Sequence, residues 1–483
     1  FENYIRLFQD GSDPYGHPNT DWNDAAYQTG VLHKHNVNIS GGTENTKYMA
    51  SVGYLGQTGI LPNSERKQFN GRTNLDMNIT KKLTVRLNMS YIKNDYKDPN
   101  SNYGGGWSDQ IIRQLNILSP MIPIYNEDGT YGATNDGNPI AWLDSGQTVD
   151  KYNQNFTGSL AVDYQIIDGL KATVSGSYVN DDQHFKAFVM KLDTDPAQAS
   201  RPNSLEERFT NWSRYNFDAL LNYDKTFGNH GLKVMLGYHA EKYDVRYNKE
   251  YRENFPNNEL DDMNAGATAT QTNEGFTRKL NMLSYFGRVN YDYAGKYLLE
   301  ANFRYDSSVK WIPGKRWGFF PSVSAGWRVT EENFFKSNEK LNFINNLKLR
   351  ASYGTLGNDG GDDVAYYQYL NKFITQTDKI KTNAVFGTGA TGILPGVYPS
   401  LGITWETTTT ADVGFDLGLW NGLLSLEFDY FHKRTSDILM DRVRTIPGTF
   451  GADLPKENYA EMVNQGCEFL VRHDNKIGNF TYY

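Results

Sequence analysis

The sequence predicts an all-β fold, a transmembrane antiparallel β-barrel. Three observations predict it: apolar and polar residues alternate, short turns alternate with long connections, and aromatic residues make up 14% of the chain. A membrane-crossing strand shows an apolar side chain to lipid only at every second position, so average hydropathy stays low. The mean hydropathy of -0.63 therefore agrees with such strands, and we find no apolar run of about 18 residues that would form a membrane helix.

The alternation is clearest between residues 156 and 178. Every second position is apolar or glycine from Phe156 to Ile166, Gly169 completes a hairpin turn, and the alternation resumes from Leu170 to Tyr178. The unit recurs at 69–91, 215–240, 283–305 and 411–430, and more weakly near 35–55, 319–353 and 463–483. We count roughly sixteen strands of about ten residues, the length that crosses a bilayer when tilted.

The connections divide the chain into a lead-in segment, residues 1–34, and a barrel, residues 35–483. Turns inside hairpins are short and connections between hairpins are long, as in bacterial outer-membrane barrels, whose long loops are extracellular. The predicted extracellular loops are 92–153, 181–211, 248–281, 355–408 and 435–460. On the short side, Thr330 resembles an N-cap and acidic residues follow it, so 330–346 is predicted to be a periplasmic turn that contains a helix.

Composition narrows the class further. Tyrosine and tryptophan suit the membrane–water interface, and the chain has 33 Tyr and 9 Trp. Cys467 is the single cysteine, which excludes a disulfide framework within the chain. The net charge of -8 argues against a nucleic-acid partner. Because the sequence begins at Phe1 and ends inside a strand-like segment, we expect it to be the middle of a longer protein.

Two soluble folds also alternate apolar and polar residues. A β-sandwich has shorter strands, of about five or six residues. A β-solenoid repeats at a nearly constant period, and this chain shows none. The barrel is therefore the favoured interpretation.

Motifs spread in order along the chain resemble the SusC/RagA family of TonB-dependent outer-membrane transporters. They are 296–306, 315–328, 346–358, 19–24, 40–44, 413–418, 429–432 and 465–468. The resemblance implies a barrel with twenty-two strands around a plug domain. About sixteen of those strands are counted here, and both the plug and the TonB-binding segment are expected to lie outside this chain.

The resemblance also implies a function and partners. It implies TonB-dependent active import of an oligosaccharide, or of an oligopeptide, across the outer membrane of a Gram-negative bacterium. The implied partners are a SusD-like surface lipoprotein, the TonB complex and outer-membrane lipid. We expect no enzyme activity, no cofactor and no metal. Two alternatives stay open: a plugless structural or adhesive barrel whose loops bind a partner, and a soluble β-rich carbohydrate enzyme.

Polar residues on the inward positions of the strands are candidates for the lining of the lumen. They are Arg288, Glu300, Arg304, Asp306, Arg350, Asp416 and Asp429, with Asn302 beside them. They would line the transport path or contact the plug. The structural alternative is that a large lumen is polar in any case, and neighbouring charges pair across strands.

Aromatic residues in the long loops are candidates for ligand contact. They are Tyr103, Trp107, Trp142, Trp311, Tyr366 and Tyr367. A flat aromatic face can stack on the apolar face of a sugar ring. The structural alternative is that these rings pack the loops together or against a lid protein. For the loop 125–131, resemblance to a loop common in the family favours the structural role.

Metal and catalytic motifs are incomplete. His33 and His35 have the spacing of two ligands on a strand, but no third ligand is evident. The acidic segment 358–363 lacks the spacing and final Glu of an EF-hand loop. No Gly-x-Ser-x-Gly nucleophile motif occurs. The sequence leaves the substrate open.

Overall fold

The structure is a computed structural model that describes residues 2–101, 107–134, 136–196, 198–361, 364, 366–374, 394–441, 447 and 454–482. The chain divides into two compact units. Unit 1 comprises Phe1–Val162, Gly176–Asn216 and Lys242–Lys279. Unit 2 comprises Asp163–Ser175, Phe217–Glu241 and Leu280–Tyr483.

Fifteen strands of the described residues form one sheet, in which each strand neighbours the next strand of the sheet along the chain. They are β1 (Leu32–Gly42), β2 (Thr46–Thr58), β3 (Glu65–Asn78), β4 (Leu83–Pro99), β5 (Thr148–Ile167), β6 (Leu170–Val189), β7 (Ser204–Phe227), β8 (His230–Glu253), β9 (Thr272–Tyr293), β10 (Tyr297–Ser307), β11 (Trp317–Arg328), β12 (Ile344–Asn358), β15 (Glu406–Leu419), β16 (Leu424–Met440) and β17 (Glu457–His473). Two small hairpins are separate, β13 (Phe373–Ile374) with β14 (Leu394–Pro395) and β18 (Asn475–Ile477) with β19 (Phe480–Tyr482). The predicted antiparallel β architecture is confirmed, with fifteen strands against the roughly sixteen expected.

Helices are few and short. They are α1 (Glu2–Gln9), α2 (Trp22–Ala26), α3 (Trp107–Ile117), α4 (Pro139–Asp144) and α5 (Asn333–Lys336). None of the described helices is long and apolar enough to cross a membrane. Two of these helices, α1 and α2, lie in the lead-in segment 1–34. Strand β1 begins three residues before the predicted start of the barrel at residue 35.

One face of the sheet in unit 1 carries apolar side chains that the described residues leave exposed. In the register of β2 and β3, Tyr54 lies opposite Phe69 and Val52 opposite Gly71. Val52 keeps 61% of its surface exposed and Phe69 keeps 51%. A soluble protein would bury such a face, because large contiguous apolar patches are rarely exposed to water. This face therefore requires an apolar surrounding.

Strands β5 to β8 are longer than the alternation predicted. They have 20, 20, 24 and 24 residues, about twice the length that crosses a bilayer. Strands of the sheet extend into all five segments that were predicted as long loops. The predicted loop boundaries are therefore wrong by several residues. Beyond the lipid neither face of a strand has to be apolar, so the alternation ends while the backbone pairing continues.

One buried apolar cluster of unit 1 lies in its connections. Trp22 of α2, Ile111 and Leu115 of α3, and Trp142 of α4 belong to one buried cluster. The Trp22 indole donates to the Ser119 carbonyl at 3.1 Å, which fixes α2 on the connection between β4 and β5. The connections thus form packed structure of their own on the ends of the strands.

In unit 2 a glycine makes room for an aromatic ring. Phe320 on β11 is buried together with Trp311 and Trp405. Its ring lies against Gly357 on β12, and a Cβ atom at position 357 would overlap it. The sequence shows a glycine in a strand, which marks a close approach of another group.

Gly357→Val is expected to lower the free energy of unfolding by about 1–3 kcal/mol, the usual effect of overpacking. Denaturant titration in detergent micelles measures this. The matched control is Gly71→Val on β3, where a Cβ atom meets no other group within 4 Å. Equal destabilisation by both variants would show that the Phe320 contact has no special role.

The connection between β11 and β12 is longer than the turns inside the other hairpins. It contains α5, and Glu332 rather than Thr330 occupies the N-cap position, because Thr330 lies in the preceding 3-10 turn. The Glu332 carboxylate accepts hydrogen bonds from Lys296 Nζ at 3.0 Å and Trp327 Nε1 at 3.1 Å. Hydrogen bonds from the Tyr297 hydroxyl and from these two donors lower the pKa of Glu332.

This lowered pKa predicts a pH-dependent stability difference. A carboxyl whose pKa is lower in the folded state stabilises the fold above its unfolded pKa, about 4.3. Glu332→Gln is therefore expected to be less stable than the wild type at pH 7. The difference should shrink as the pH falls below about 4.3 and vanish once the folded-state carboxyl is protonated. Thermal unfolding of both proteins between pH 3 and 7 measures it, and a pH-independent difference would contradict this role.

Candidate functional site

The polar face of the sheet in unit 2 is built around Arg350. Its Nε lies 2.9 Å from Asp416 Oδ1 and its Nη2 lies 2.6 Å from Asp429 Oδ2. In the register, Gly414 lies between Arg350 on β12 and Asp429 on β16. A Cβ atom at 414 would overlap the Asp429 carboxylate. The glycine therefore lets the guanidinium reach across one strand to a second carboxylate.

The other predicted lumen residues lie on β9 and β10 and are also bonded to neighbours. Arg288 Nε donates to Asn302 Oδ1 at 2.7 Å, and Asn302 Nδ2 donates to Glu300 at 2.7 Å. Arg304 makes two hydrogen bonds to Asp306, at 3.1 and 2.8 Å. The structure thus joins the predicted residues into local pairs and short chains, as expected of neighbouring polar groups on a strand surface.

A cavity of about 460 Å³ lies on this polar face of unit 2. Glu300 and Arg350 contribute to its lining, with Lys348 and Asp412 beside them. Both signs of charge are therefore present, and most of these groups have a bonded partner. Such a polar surface stays hydrated, since charged side chains keep their water unless they are buried.

Two of the predicted ligand-binding aromatic residues are buried. Trp142 and Trp311 each expose 0% of their surface. Trp142 packs in the cluster of α2, α3 and α4, and Trp311 packs against Trp405 with ring centroids 6.1 Å apart. Neither ring has a free face for a ligand, so their prediction as stacking residues is corrected to a packing role. The sequence shows an aromatic residue in a loop but not which side of the loop it faces.

Of the four remaining loop aromatic residues, the structure describes the side chains of two, Tyr366 and Tyr367. Tyr103 lies outside the described residues, and so does the side chain of Trp107. The centroid of the Tyr366 ring lies 5.3 Å from Lys310 Nζ. Tyr367 is 36% exposed and has a positive φ of 57°. A non-glycine residue in this conformation is strained by roughly 1–2 kcal/mol, and such strain is common at functional sites.

A buried lysine, which the sequence analysis missed, joins two loops of unit 2. The Lys310 side chain is 3% exposed, and its Nζ lies 3.2 Å from Asp359 Oδ1. It also donates to the Gly361 carbonyl, while Ser308 Oγ donates to the other Asp359 oxygen at 2.9 Å. Asp359 belongs to the acidic segment 358–363, whose Asp362 and Asp363 lie outside the described residues. In the described part of this segment, Asp359 and the Gly361 carbonyl bind the ammonium group of Lys310.

The loop 125–131 is a closed structural unit. The Tyr125 and Tyr131 hydroxyls both donate to Asp144 Oδ2, at 2.8 and 3.0 Å. Burial and these hydrogen bonds raise the pKa of both phenols. The pair therefore attaches the loop to the end of α4.

The residues that are described contain no group of three or more His, Cys, Asp or Glu able to hold a metal ion. His33 and His35 are neighbours, with ring centroids 5.4 Å apart. Two imidazoles alone do not make a typical protein zinc site, which has three or four protein ligands.

Exposed apolar side chains on the strands of unit 1, charged side chains on the strands of unit 2 and antiparallel strands of membrane-crossing length together define the class of protein. It is a transmembrane β-barrel protein, because only closed sheets and helices satisfy their backbone hydrogen bonds in lipid.

Comparison with known proteins places the chain within this class. The family model described as "TonB dependent receptor-like, beta-barrel" matches residues 116–483. A second model, described as a porin subfamily, matches residues 19–207. The chain therefore belongs to the TonB-dependent receptor β-barrel family, whose members lie in the outer membrane of Gram-negative bacteria and are receptors rather than enzymes.

Individual relatives agree with this assignment. TonB-dependent receptor P3 of Formosa agariphila is 30% identical over 484 residues, which cover 98% of this chain and 46% of the relative. TonB-dependent receptor SusC of Bacteroides thetaiotaomicron is 27% identical, over 94% of this chain and 46% of that protein. The chain thus spans about half the length of the curated relatives it matches. The predicted resemblance to the SusC/RagA family is confirmed.

Solved structures show the same fold. The structure of the RagAB peptide transporter superposes with a TM-score of 0.80 at 19% identity, over 98% of this chain and 53% of that chain. The ferric citrate transporter FecA in its unliganded form superposes with a TM-score of 0.53 at 10% identity, over 93% and 54%. The prediction of a TonB-dependent transporter barrel is therefore confirmed at the level of fold.

Proposed function

We propose that this chain is the barrel portion of an importer that moves an oligosaccharide, or an oligopeptide, across the outer membrane with energy from TonB. The observation that carries the proposal is the family match over residues 116–483. The relative named SusC and the fold likeness to a structure titled as a peptide transporter support it. The proposed partners are a SusD-like lipoprotein on the cell surface and the TonB complex.

The charged face of the sheet suits this function. We propose that it lines the lumen, and that the residues predicted for that role face the passing substrate or the plug. They are Arg288, Glu300, Arg304, Asp306, Arg350, Asp416 and Asp429. Because three of these residues are cationic and four are anionic, the wall is polar without a large field of one sign. Neutral sugars and zwitterionic peptides would both pass along it.

We propose Tyr367 as the loop aromatic residue that contacts the ligand. Its exposed ring and strained backbone distinguish it from the buried Trp142 and Trp311. In Tyr367→Ala, ligand binding is expected to weaken while the fold remains intact. The matched control is Tyr398→Ala, another loop tyrosine, which is 55% exposed. Equal binding by both variants and the wild type would remove Tyr367 from the site.

The importer proposal is tested by uptake. A strain lacking the gene is compared with the parent strain and with a strain whose TonB system is inactive. Fluorescent oligosaccharides and oligopeptides of defined length are the probes. The expected result is loss of uptake of one class in both mutants. Unchanged uptake of every probe would reject import, and uptake that needs the gene but not TonB would reject energy coupling.

A further inference from the structure

Cations and aromatic rings alternate in a row that crosses β3 to β7 in unit 1. On β3 and β4, Arg66 lies opposite Tyr96, and its guanidinium carbon lies 5.1 Å from the centroid of the ring. The Phe185 ring of β6 is contacted from both neighbouring strands, by Lys151 Nζ at 6.0 Å and by the Arg208 guanidinium carbon at 4.6 Å from its centroid. These five residues form the cation–aromatic row.

The two parts of the row are joined between β4 and β5. The Asn100 N–H donates to the Gln147 carbonyl at 3.0 Å, which fixes the register of these antiparallel strands. Counting the same number of residues along each strand from this pair places Tyr96 opposite Lys151. The order across the five strands is therefore cation, aromatic, cation, aromatic, cation.

The row lies on the polar face of the sheet, and its spacing is regular. Phe69 belongs to the exposed apolar face of β3, and Arg66 is an odd number of residues away, so it lies on the other face. Neighbouring strands are about 4.8 Å apart, so successive cations of the row are roughly 9.6 Å apart. This distance matches the length of a disaccharide unit. In an extended peptide, side chains on one side recur at about 6.6 Å, which does not match.

Arg66 has no carboxylate partner among the described residues. Its Nη2 donates to two neutral amides, Gln68 Oε1 at 2.7 Å and Asn94 Oδ1 at 3.1 Å. Its Nε is buried and has no acceptor in the part of the chain that the structure describes. A guanidinium that lies on an aromatic ring still presents N–H groups at its edge, and these groups match a carboxylate or a sulfate. Arg66 is therefore a cation whose charge is left for a ligand.

The positive charge continues into a cavity of about 620 Å³ on the same face. Lys34 of β1 and Arg72 of β3 line this cavity, together with amide and hydroxyl side chains, and none of the described residues in its lining is acidic. Gln68, which accepts a hydrogen bond from Arg66, also belongs to the lining. The cavity in unit 2 differs, because acids as well as cations line it. The face of unit 1 thus favours an anionic ligand.

Amides form the next row of this face. Gln68 lies opposite Asn94, and both use their oxygen for Arg66, which leaves their NH₂ groups without an acceptor among the described residues. Asn153 and Gln183 donate their NH₂ groups to Asp181, at 3.3 and 2.8 Å. Their oxygens have no donor within the described ranges. A sugar hydroxyl both donates and accepts, so it can bind either kind of open group.

We propose that the cation–aromatic row and the amide row bind an oligosaccharide that carries an anionic group, a carboxylate or a sulfate, on alternate sugar residues. This inference rests on the proposed import function and names the substrate class. Arg66, Lys151 and Arg208 bind the anionic groups, and the rings of Tyr96 and Phe185 hold these cations in place. The four amides bind the hydroxyl groups.

The test measures binding to the full-length protein in detergent micelles by isothermal titration calorimetry. The acidic probes are hexasaccharides of hyaluronan, with a carboxylate on alternate residues, and of chondroitin sulfate. The comparison probes are the carboxyl-reduced hyaluronan hexasaccharide, which is neutral, and an oligoglutamate peptide. The variants are Arg66→Gln and Arg66→Lys. The matched control is Lys67→Gln, which removes one positive charge from the next residue of β3, on the apolar face.

The wild type is expected to bind the acidic hexasaccharides and not the neutral derivative. In Arg66→Gln this binding should be about tenfold weaker or more, the usual effect of losing a hydrogen bond to a charged group. Arg66→Lys should lie between the two, because it keeps the charge but not the planar donor pair. Binding by Lys67→Gln should equal that of the wild type, and high salt should weaken binding in each protein.

Several outcomes would overturn the proposal. They are no binding of the acidic hexasaccharides by the wild type, equal binding of the neutral derivative, tighter binding of oligoglutamate, and equal losses in Arg66→Gln and Lys67→Gln. A lower unfolding temperature of Arg66→Gln with unchanged binding would assign Arg66 to a structural contact instead. Uptake of the same probes by cells separates this inference from import. Binding without uptake rejects import but keeps this site, whereas uptake of neutral sugars alone rejects this site but keeps import.

Discussion

Lys310→Met is expected to free the loop around Asp359 from the loop that begins at Ser308. Lys310 is almost fully buried, and its ammonium group contacts one carboxylate and two backbone carbonyls. Removing one partner of a buried ion pair costs about 3–5 kcal/mol, because the other charge stays buried without compensation. Hydrogen–deuterium exchange at residues 359–361 is expected to accelerate by a factor of about 100 or more.

Two further variants make this prediction specific. Lys315→Met removes an exposed lysine from the same connection, where its Nζ makes a 3.4 Å hydrogen bond to the Leu401 carbonyl, and it should change stability by at most about 0.5 kcal/mol. Lys310→Met with Asp359→Asn removes both charges and should recover part of the loss. If exchange at 359–361 stays slow in Lys310→Met, the ion pair does not hold this loop.

Arg350→Met is expected to lower the free energy of unfolding by about 2–3 kcal/mol. The range for breaking a buried pair is about 3–5 kcal/mol, and the Arg350 side chain is 29% exposed, so solvent screening reduces it. The loss leaves Asp416 and Asp429 without their shared cation. Denaturant titration in detergent at low and high salt measures it, and high salt should reduce the difference.

The control for Arg350 lies on the same polar face. Arg288→Met also removes a guanidinium, but Arg288 donates its hydrogen bond to the neutral Asn302, so a smaller loss is expected. A triple variant with Arg350→Met, Asp416→Asn and Asp429→Asn removes the repulsion and should be more stable than Arg350→Met alone. Equal losses in Arg288→Met and Arg350→Met would show that the two-carboxylate bridge is not special.

The fold was largely predictable from the sequence because a strand between lipid and water must alternate. The period of two from Phe156 to Ile166 and from Leu170 to Tyr178 lies within β5 and β6. The turn at Gly169 has the positive φ that its glycine suggested. A strand that continues beyond the lipid no longer has to alternate apolar and polar residues. The alternation therefore did not predict that β6 continues to Val189.

The candidate site was less predictable, since it depends on which side chains meet. The charges at 350, 416 and 429 were identified from the alternation. Their junction depends on the register, which places Gly414 between Arg350 and Asp429. The burial of Trp142 and Trp311 depends on how distant connections fold together. No local pattern encodes that arrangement.

The sequence by itself determined the antiparallel strands, their two faces and the family, because each follows from local alternation, turn residues and motifs. Only the tertiary structure decided which polar groups pair, which loop aromatic residues are exposed, and that Lys310 is buried. These features depend on strand register and on loop packing, which join residues far apart in the chain.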